Sequence, residues 1–259
     1  MTLSRQQLLH ELGITPLWTL RAAPAEVDAA SLAVAPAPAP EPASDQLAVT
    51  NADAPIQGAL PPSALASKDS PLLAVDALDW PELAAQVATC QACPLATQRR
   101  QAVFGVGDQQ ADWLFVGEGP GAEEDARGEP FVGQAGKLLD NMLAALALDR
   151  QQRVYIANAV KCRPPNNRTP EAAEMAACRP YLRRQIALLQ PKVIVLLGKA
   201  AVHSVLGVDK SLASLRGQRF EYAGIPVVVT YHPAYLLRNL PDKAKAWEDL
   251  LFARRQLSS

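Results

Sequence analysis

Four short apolar runs recur along the last two-thirds of this chain. Each is four to six residues long and rich in branched or aromatic side chains, which is typical of buried strands. The runs are Trp113–Val116, Val154–Ala159, Val193–Leu197 and Val227–Tyr231. Apolar residues at helical spacing precede, separate and follow them, at Pro81–Cys90, Gly136–Leu148, Pro170–Leu189, Ala200–Leu206 and Lys243–Leu257. This alternation predicts an α/β sandwich around a mostly parallel, four-stranded central sheet.

The N-terminal third has a different character. Residues 2–21 carry a stripe of leucines that ends at Gly13, and we interpret them as a peptide that docks onto a partner. Residues 22–77 are rich in Ala, Pro and Ser, with APAPAPEPAS as the extreme. Such a composition cannot bury enough apolar surface to offset the entropy of ordering, so it predicts a disordered linker. The chain therefore divides into residues 1–21, a linker at 22–77 and a folded domain at 78–259.

Composition and charge favour a cytosolic protein that binds phosphate groups. The sequence has no run of 18 apolar residues and no basic-then-apolar leader, so neither a membrane span nor a secretory signal is expected. The net charge of −1 conceals an asymmetry. Residues 1–79 carry 3 basic and 9 acidic side chains, whereas residues 80–259 carry 22 basic and 17 acidic ones. The folded part is mildly basic and rich in Arg, which suits phosphate contacts; a monomer is expected.

The ends of the apolar runs hold the candidate chemistry. The first run breaks into the glycine turn GEGPG at 117–121, where backbone N–H groups can approach a ligand closely. The second run ends in Asn158, the third in Gly198, and the fourth in His232 followed by proline. Because ligands bind beyond the carboxyl ends of parallel strands, these residues are expected to meet at one mouth.

All four cysteines lie in the folded part, and the first two form a C-x2-C pair. Disulfides are rare in cytosolic proteins, so we interpret the thiols as metal ligands. The spacing fits either structural zinc or an iron–sulfur cluster and does not separate the two. A metal there would brace the loop that follows the second strand. The predicted ligands are Cys90, Cys93, Cys162 and Cys178.

Together these motifs resemble the family 4 uracil-DNA glycosylases. The matching segments are GEGPG at 117–121, PFVGQAG at 130–136, ANAVKCRPP at 157–165 and HPAYLLRN at 232–239. The resemblance covers about residues 85–257 and includes the cysteine spacing. It implies a three-layer α/β/α uracil-glycosylase fold and a 4Fe–4S cluster on the four cysteines. It also implies base excision repair, in which uracil is removed from single- or double-stranded DNA to leave an abasic site.

The resemblance suggests which side chains contact the base. An enzyme that acts on a stacked base must flip it into a pocket and read its edge. Phe131 is predicted to stack on the uracil ring, and Asn158 to read its O4 and N3–H. His232 is predicted to donate a hydrogen bond to O2 as negative charge develops on the leaving base.

The acidic and glycine residues around the first turn are predicted to complete the site. Glu118 would orient the attacking water or stabilise the sugar cation. Glu124 is expected near C5 of uracil, where it would reject the methyl group of thymine. Gly119 and Gly121 would bring backbone N–H groups to the base.

The HPAYLLRN segment is predicted to enter the DNA. A leucine of the Leu236–Leu237 pair would act as a wedge between bases, with Arg238 near a phosphate. Further phosphate contacts are predicted for Lys161, Arg163 and Arg168.

The N-terminal peptide has a resemblance of its own. The segment LGITPLWTLR is similar to the N-terminal peptide of the psi subunit of bacterial DNA polymerase III, which binds the clamp loader. A partner in the replication machinery, the clamp loader, is therefore a hypothesis for residues 2–21.

Two other functions fit parts of the pattern. One is a superfamily relative that traps the product covalently through a histidine in an extra loop. Residues 208–219 occupy about that region and contain no histidine. The other is a module that is stabilised by a metal and binds nucleic acid without catalysis. Such a module would not need Glu118, Asn158 and His232 at the ends of successive strands. Uracil excision is the hypothesis that uses all of the motifs.

Overall fold

A computed structural model describes residues 75–257 of the chain, and the structural statements below concern those residues. The predicted docking peptide and residues 22–74 of the predicted linker lie outside them. Residues 75–77, which the composition assigns to the linker, pack against the domain: Val75 is buried and Asp76 pairs with Arg183 at 2.6 Å. The folded domain therefore includes Val75.

Four parallel strands form the centre of the sheet. They are β2 (Trp113–Gly117), β3 (Val154–Asn158), β4 (Val193–Leu197) and β6 (Ile225–Thr230). Their order is β3-β2-β4-β6, and every residue of β2, β3 and β4 is buried. Helices on both faces explain why these strands read as continuous apolar runs rather than as alternating ones.

The sheet has six strands rather than the predicted four. β1 (Val106–Gly107) pairs antiparallel with β3, and β5 (Phe220–Tyr222) pairs antiparallel with β6. Both edge strands are too short and too exposed to leave an apolar run in the sequence. The turn between β5 and β6 places Ala223 and Gly224 at positive φ, as a tight hairpin requires.

Eight helices surround the sheet in the described part of the chain. In chain order they are α1 (Trp80–Thr89), α2 (Ala122–Arg127), α3 (Gln134–Ala145), α4 (Ala172–Leu189), α5 (Lys199–Leu206), α6 (Leu212–Leu215), α7 (Pro233–Leu236) and α8 (Asp242–Gln256). None of them is long and apolar enough to cross a membrane. The five predicted helices correspond to α1, α3, α4, α5 and α8, with ends that differ by up to three residues.

Alternate residues of each central strand face opposite layers. On one face, Leu114 and Leu196 pack against α4 and α5. On the other, Phe115 and Val195 pack against α3 and α8. The two apolar clusters confirm the three-layer α/β/α architecture, and they leave the carboxyl ends of the strands free to carry a site.

A third apolar cluster lies beside the sheet and holds the cysteines. α1 begins with a capping box between Asp79 and Glu82, and it buries Leu83 and Val87 in this cluster. The helix ends at Thr89, directly before Cys90. The capped helix therefore fixes where the C-x2-C pair begins.

Candidate active site

The carboxyl ends of the parallel strands open into a pocket of about 780 Å³. Its walls come from the glycine turn after β2, the end of β3, the loop before α3 and the start of α7. The residues that the sequence assigns to base contact or chemistry all line it: Glu118, Gly119, Gly121, Glu124, Phe131, Asn158 and His232. Side chains that lie far apart in the sequence are thus brought together.

Asn158 is the last residue of β3 and is 2% exposed. Its Oδ1 atom is buried without a hydrogen-bond partner. Burying an amide oxygen in this way costs roughly 1–3 kcal/mol unless a ligand supplies a donor. Gly117, its neighbour on β2, explains the tight fit, since a Cβ there would lie 2.4 Å from Asn158 Oδ1. The carboxamide is therefore held in the pocket with an unused acceptor.

Phe131 is held in an unusual backbone conformation. Its φ of 56° lies in the left-handed region that bulky residues avoid. Arg150 stabilises it by donating to the carbonyls of Pro130 and Phe131, both at 2.8 Å. Gly136 leaves room for that carbonyl, because a Cβ there would lie 1.8 Å from it. The ring, 6% exposed, stacks on His232 with centroids 5.4 Å apart.

His232 caps the N-terminus of α7. Its Nδ1 accepts a hydrogen bond from the N–H of Ala234 at 3.1 Å, so the neutral ring carries its proton on Nε2. Burial lowers the pKa of His232 to about 4; Arg238 acts in the same direction and Glu124 opposes it. At neutral pH the imidazole is therefore an uncharged hydrogen-bond donor.

Glu118 lines the pocket and is half-buried. Burial raises the pKa of its carboxyl group above the usual 4.5, and a hydrogen bond with the Thr169 side chain acts in the opposite direction. The Glu118 carbonyl accepts from Val160 N at 3.2 Å, which ties the glycine turn to the segment after β3. Thr169 also lines the pocket, and the sequence analysis missed it because a single threonine in a polar loop carries no signal.

Glu124 holds the loop that carries Phe131. Its carboxylate accepts hydrogen bonds from the backbone N–H groups of Gly121, Val132 and Gly133, each at 3.0 Å. The contact with uracil C5 stays a prediction. In the structure, Glu124 connects the glycine turn to the loop that carries Phe131.

Two of the predicted DNA contacts are wrong because their side chains are buried. Leu236 is 1% exposed and packs with Tyr231 and Ala246, so it is a core residue and cannot act as a wedge. Lys161, also 1% exposed, cannot reach a phosphate. Burial lowers the pKa of Lys161 to about 8, whereas the nearby Cys178 and Cys162 act to raise it.

The remaining predicted DNA contacts lie at or near the surface. Leu237 is 41% exposed, and Arg238, also exposed, lines the pocket. Arg168 lines it too, but its guanidinium is bound to Glu174 at 2.6 and 2.8 Å. Arg163 is half-buried and donates to Asn167 at 2.8 Å.

The four cysteines line one cavity beside α1 and α4. Two of the sulfurs accept hydrogen bonds: Arg99 Nη1 lies 2.9 Å from Cys162 Sγ, and Lys161 N lies 3.2 Å from Cys178 Sγ. Among residues 75–257, no three His, Cys, Asp or Glu side chains are grouped as ligands for one metal ion. Four thiols around one cavity, with donors to Cys162 and Cys178, fit a thiolate-bound metal centre.

Comparison with known proteins gives a consistent result. A family model described as the uracil DNA glycosylase superfamily matches residues 104–251. The chain is 46% identical over 162 residues to a type-4 uracil-DNA glycosylase of Thermotoga maritima, covering 62% of this chain and 84% of that protein. A type-4 uracil-DNA glycosylase of Sulfurisphaera tokodaii is 44% identical over 182 residues, covering 67% and 82%. A type-5 uracil-DNA glycosylase of Pyrobaculum aerophilum is 34% identical over 149 residues, covering 51% and 66%.

Proposed function

The chain belongs to the type-4 uracil-DNA glycosylases of the uracil-DNA glycosylase superfamily, and from this premise we propose how its pocket removes uracil from DNA. The protein flips a uracil nucleotide out of the stack and hydrolyses its N-glycosidic bond, leaving an abasic site. The observation that carries this proposal is the unpartnered Oδ1 of Asn158, buried beside the Phe131 ring.

Asn158 suits the edge of uracil. Its Oδ1 would accept from N3–H and its Nδ2 would donate to O4, so both halves of the amide find a partner. Cytosine presents an acceptor at N3 and an amino group at C4, which would leave both halves unsatisfied. A site built to hydrogen-bond in this way rejects the wrong base strongly, because binding that base would leave buried polar groups unpaired.

His232 and Glu118 act on the charges that form as the bond breaks. The C1′–N1 electron pair goes to the base, and the Nε2–H of neutral His232 donates to O2 where that charge collects. Glu118, as a carboxylate, holds the water whose oxygen bonds to C1′, or stabilises the positive sugar. The water proton passes to the solvent or the released base, which completes hydrolysis to uracil and an abasic deoxyribose.

The exposed segment after α7 binds the DNA. Leu237 is the wedge that fills the space left by the flipped base. Arg238 and Arg163 contact phosphates, with the salt dependence that such contacts bring.

Cys90, Cys93, Cys162 and Cys178 hold a 4Fe–4S cluster in this proposal. A bound cluster would have a structural role, since these residues would tie the segment after α1 to the turn after β3 and to α4. Iron analysis and the visible spectrum of the purified protein test it, and a colourless preparation that contains zinc would contradict it.

One experiment tests the activity against both alternatives. The protein is incubated with an oligonucleotide that contains a single uracil, and half of each sample is treated with alkali. Strand cleavage only after alkali supports the glycosylase. A shifted band that survives denaturation would indicate a covalent trap, and an intact oligonucleotide would indicate a binding module.

A further inference from the structure

Lys161 is a fully buried cation that the proposed chemistry does not use. It lies in the turn between Asn158 and Cys162, and its ammonium donates to two neutral oxygens. These are the backbone carbonyl of Asn158 at 3.1 Å and Gln185 Oε1 at 2.6 Å. None of the ion pairs in the described part of the chain involves it. A buried charge without a carboxylate partner is costly, so its placement calls for an explanation.

The contacts of Lys161 extend in two directions. Gln185, itself fully buried on α4, donates to the carbonyl of Phe104 at 3.0 Å and to the Tyr155 hydroxyl at 3.4 Å. The Lys161 backbone accepts from Val103 N at 2.8 Å. These hydrogen bonds anchor the turn after β3 to α4 and to the segment before β1.

The Asn158 side chain has no hydrogen bond at Oδ1 that would fix it. Asn158 Oδ1 and the Phe131 ring lie 2.4 and 2.6 Å from the point that a Cβ of Gly117 would occupy, so their contacts with Gly117 are steric only. The Lys161 ammonium fixes the same residue through its backbone carbonyl.

We propose that Lys161 is a positioning residue for Asn158, which keeps the carboxamide aligned with the edge of the base. This inference rests on the proposed function. In Lys161→Met the Asn158 carbonyl and Gln185 Oε1 would be left buried without a donor. The turn would relax, and a displacement of about 1 Å at a reacting group can lower a rate about 100-fold.

The test compares iron-replete wild type, Lys161→Met, Gln185→Leu and Gln185→Glu. Lys192→Met is the matched control, because Lys192 is an exposed lysine paired with Asp112. Iron content is measured first, followed by the single-turnover rate on a uracil oligonucleotide. Binding is then measured to a non-cleavable 2′-fluoro-deoxyuridine oligonucleotide and to its thymidine counterpart. The ratio of these two affinities reports base reading without catalysis.

We expect Lys161→Met and Gln185→Leu to keep their iron and lose about 10- to 100-fold in rate. Their preference for the uracil analogue should collapse towards one, while affinity for the thymidine oligonucleotide changes by less than about threefold. Lys192→Met should stay near wild type. Gln185→Glu keeps an acceptor for the ammonium but loses the donor to the Phe104 carbonyl, so it should fall between wild type and Gln185→Leu.

Wild-type rate and base preference in iron-replete Lys161→Met or Gln185→Leu would overturn the inference. Loss of iron from both variants would overturn it too, because Lys161 would then serve the cysteine site rather than Asn158. An inactive, iron-replete wild type would instead refute the proposed function itself.

Discussion

At the scale of single residues, two side-chain atoms determine which base the pocket suits: one accepts a hydrogen bond and the other donates one. Asn158 Oδ1 is an acceptor without a donor, and His232 Nε2 carries a proton because Nδ1 is occupied by Ala234 N–H. Uracil offers a donor at N3 and an acceptor at O2, so it complements both atoms.

Replacing Asn158 by Ala should lower the rate of uracil release about 1,000-fold, since an aligned hydrogen-bonding group at a charged transition state is worth that much. Thermal melting should stay close to wild type, because Oδ1 makes no bond in the folded protein. Single-turnover assays measure the effect, and Asn141→Ala, at an exposed position of α3, is the control. Full activity in Asn158→Ala would remove the base-reading assignment.

The pH profile should show an acid limb that belongs to Glu118 rather than to His232. Because the pKa of His232 falls from 6.5 to about 4, the ring stays neutral through the weakly acidic range. The pKa of Glu118 is raised above 4.5 by burial, so activity should fall as pH drops through that raised value and the carboxylate is protonated. Glu118→Gln should lose the limb. A limb near pH 6.5 that persists in Glu118→Gln would contradict this assignment.

Sequence patterns predicted which residues line the pocket, but they did not predict which of the neighbouring residues are buried. Asn158 and His232 could be predicted because they end apolar runs whose carboxyl ends must meet. Leu236 and Leu237 could not be told apart, since only the packing of the short helix α7 decides which one is buried. Lys161 looked like a phosphate contact because sequence alone does not reveal the oxygens that Asn158 and Gln185 offer it.

At the scale of elements, the end of β2 sets the spacing of the site. Gly117 is where β2 meets Asn158, and a Cβ there would also lie 2.6 Å from the Phe131 ring. Because Gly117 has no side chain, the Asn158 amide and the Phe131 ring can both lie close to the end of β2.

Gly117→Ala should displace Asn158 and Phe131 together and lower activity by about 100-fold or more. Its cost in stability should be about 1–3 kcal/mol, as for other overpacked sites. Gly207→Ala is the control, because Gly207 has positive φ but open space around it, so the change should cost about 1 kcal/mol and leave the rate unchanged. Equal rates for the two variants would show that the β2–β3 contact does not position the site.

The central elements could be predicted because each is long enough to carry a pattern. β2, β3, β4 and β6 are buried on both faces, so their apolar runs stand out. β1 and β5 were missed because two or three partly exposed residues give no periodicity, and their pairing depends on neighbours far away in the sequence.

At the scale of the whole molecule, residues 75–257 include the pocket residues named above and all four cysteines. The folded part begins before residue 78, where composition placed its start, since Val75 packs with the cluster around α1 and Arg184 donates to the Leu78 carbonyl at 2.6 Å.

Removing residues 1–71 should leave uracil release within about twofold of the full chain, because the pocket residues described above are all retained. Removing residues 1–78 should destabilise the domain by about 1–3 kcal/mol through the loss of the Val75 contacts. The exposed Asp76–Arg183 pair should add little. Melting curves and rates of the two truncations measure this, and an inactive or unfolded first truncation would contradict the prediction that residues 1–71 are dispensable.

The measurement that tests the central claim most directly is the identity of the base that the protein releases. Three oligonucleotides that differ only in uracil, cytosine or thymine at one position are incubated with iron-replete protein, and the freed bases are quantified by mass spectrometry. The account predicts that only uracil is released, in an amount equal to the abasic sites formed. Release of cytosine or thymine at a similar rate, or of no base at all, would contradict it.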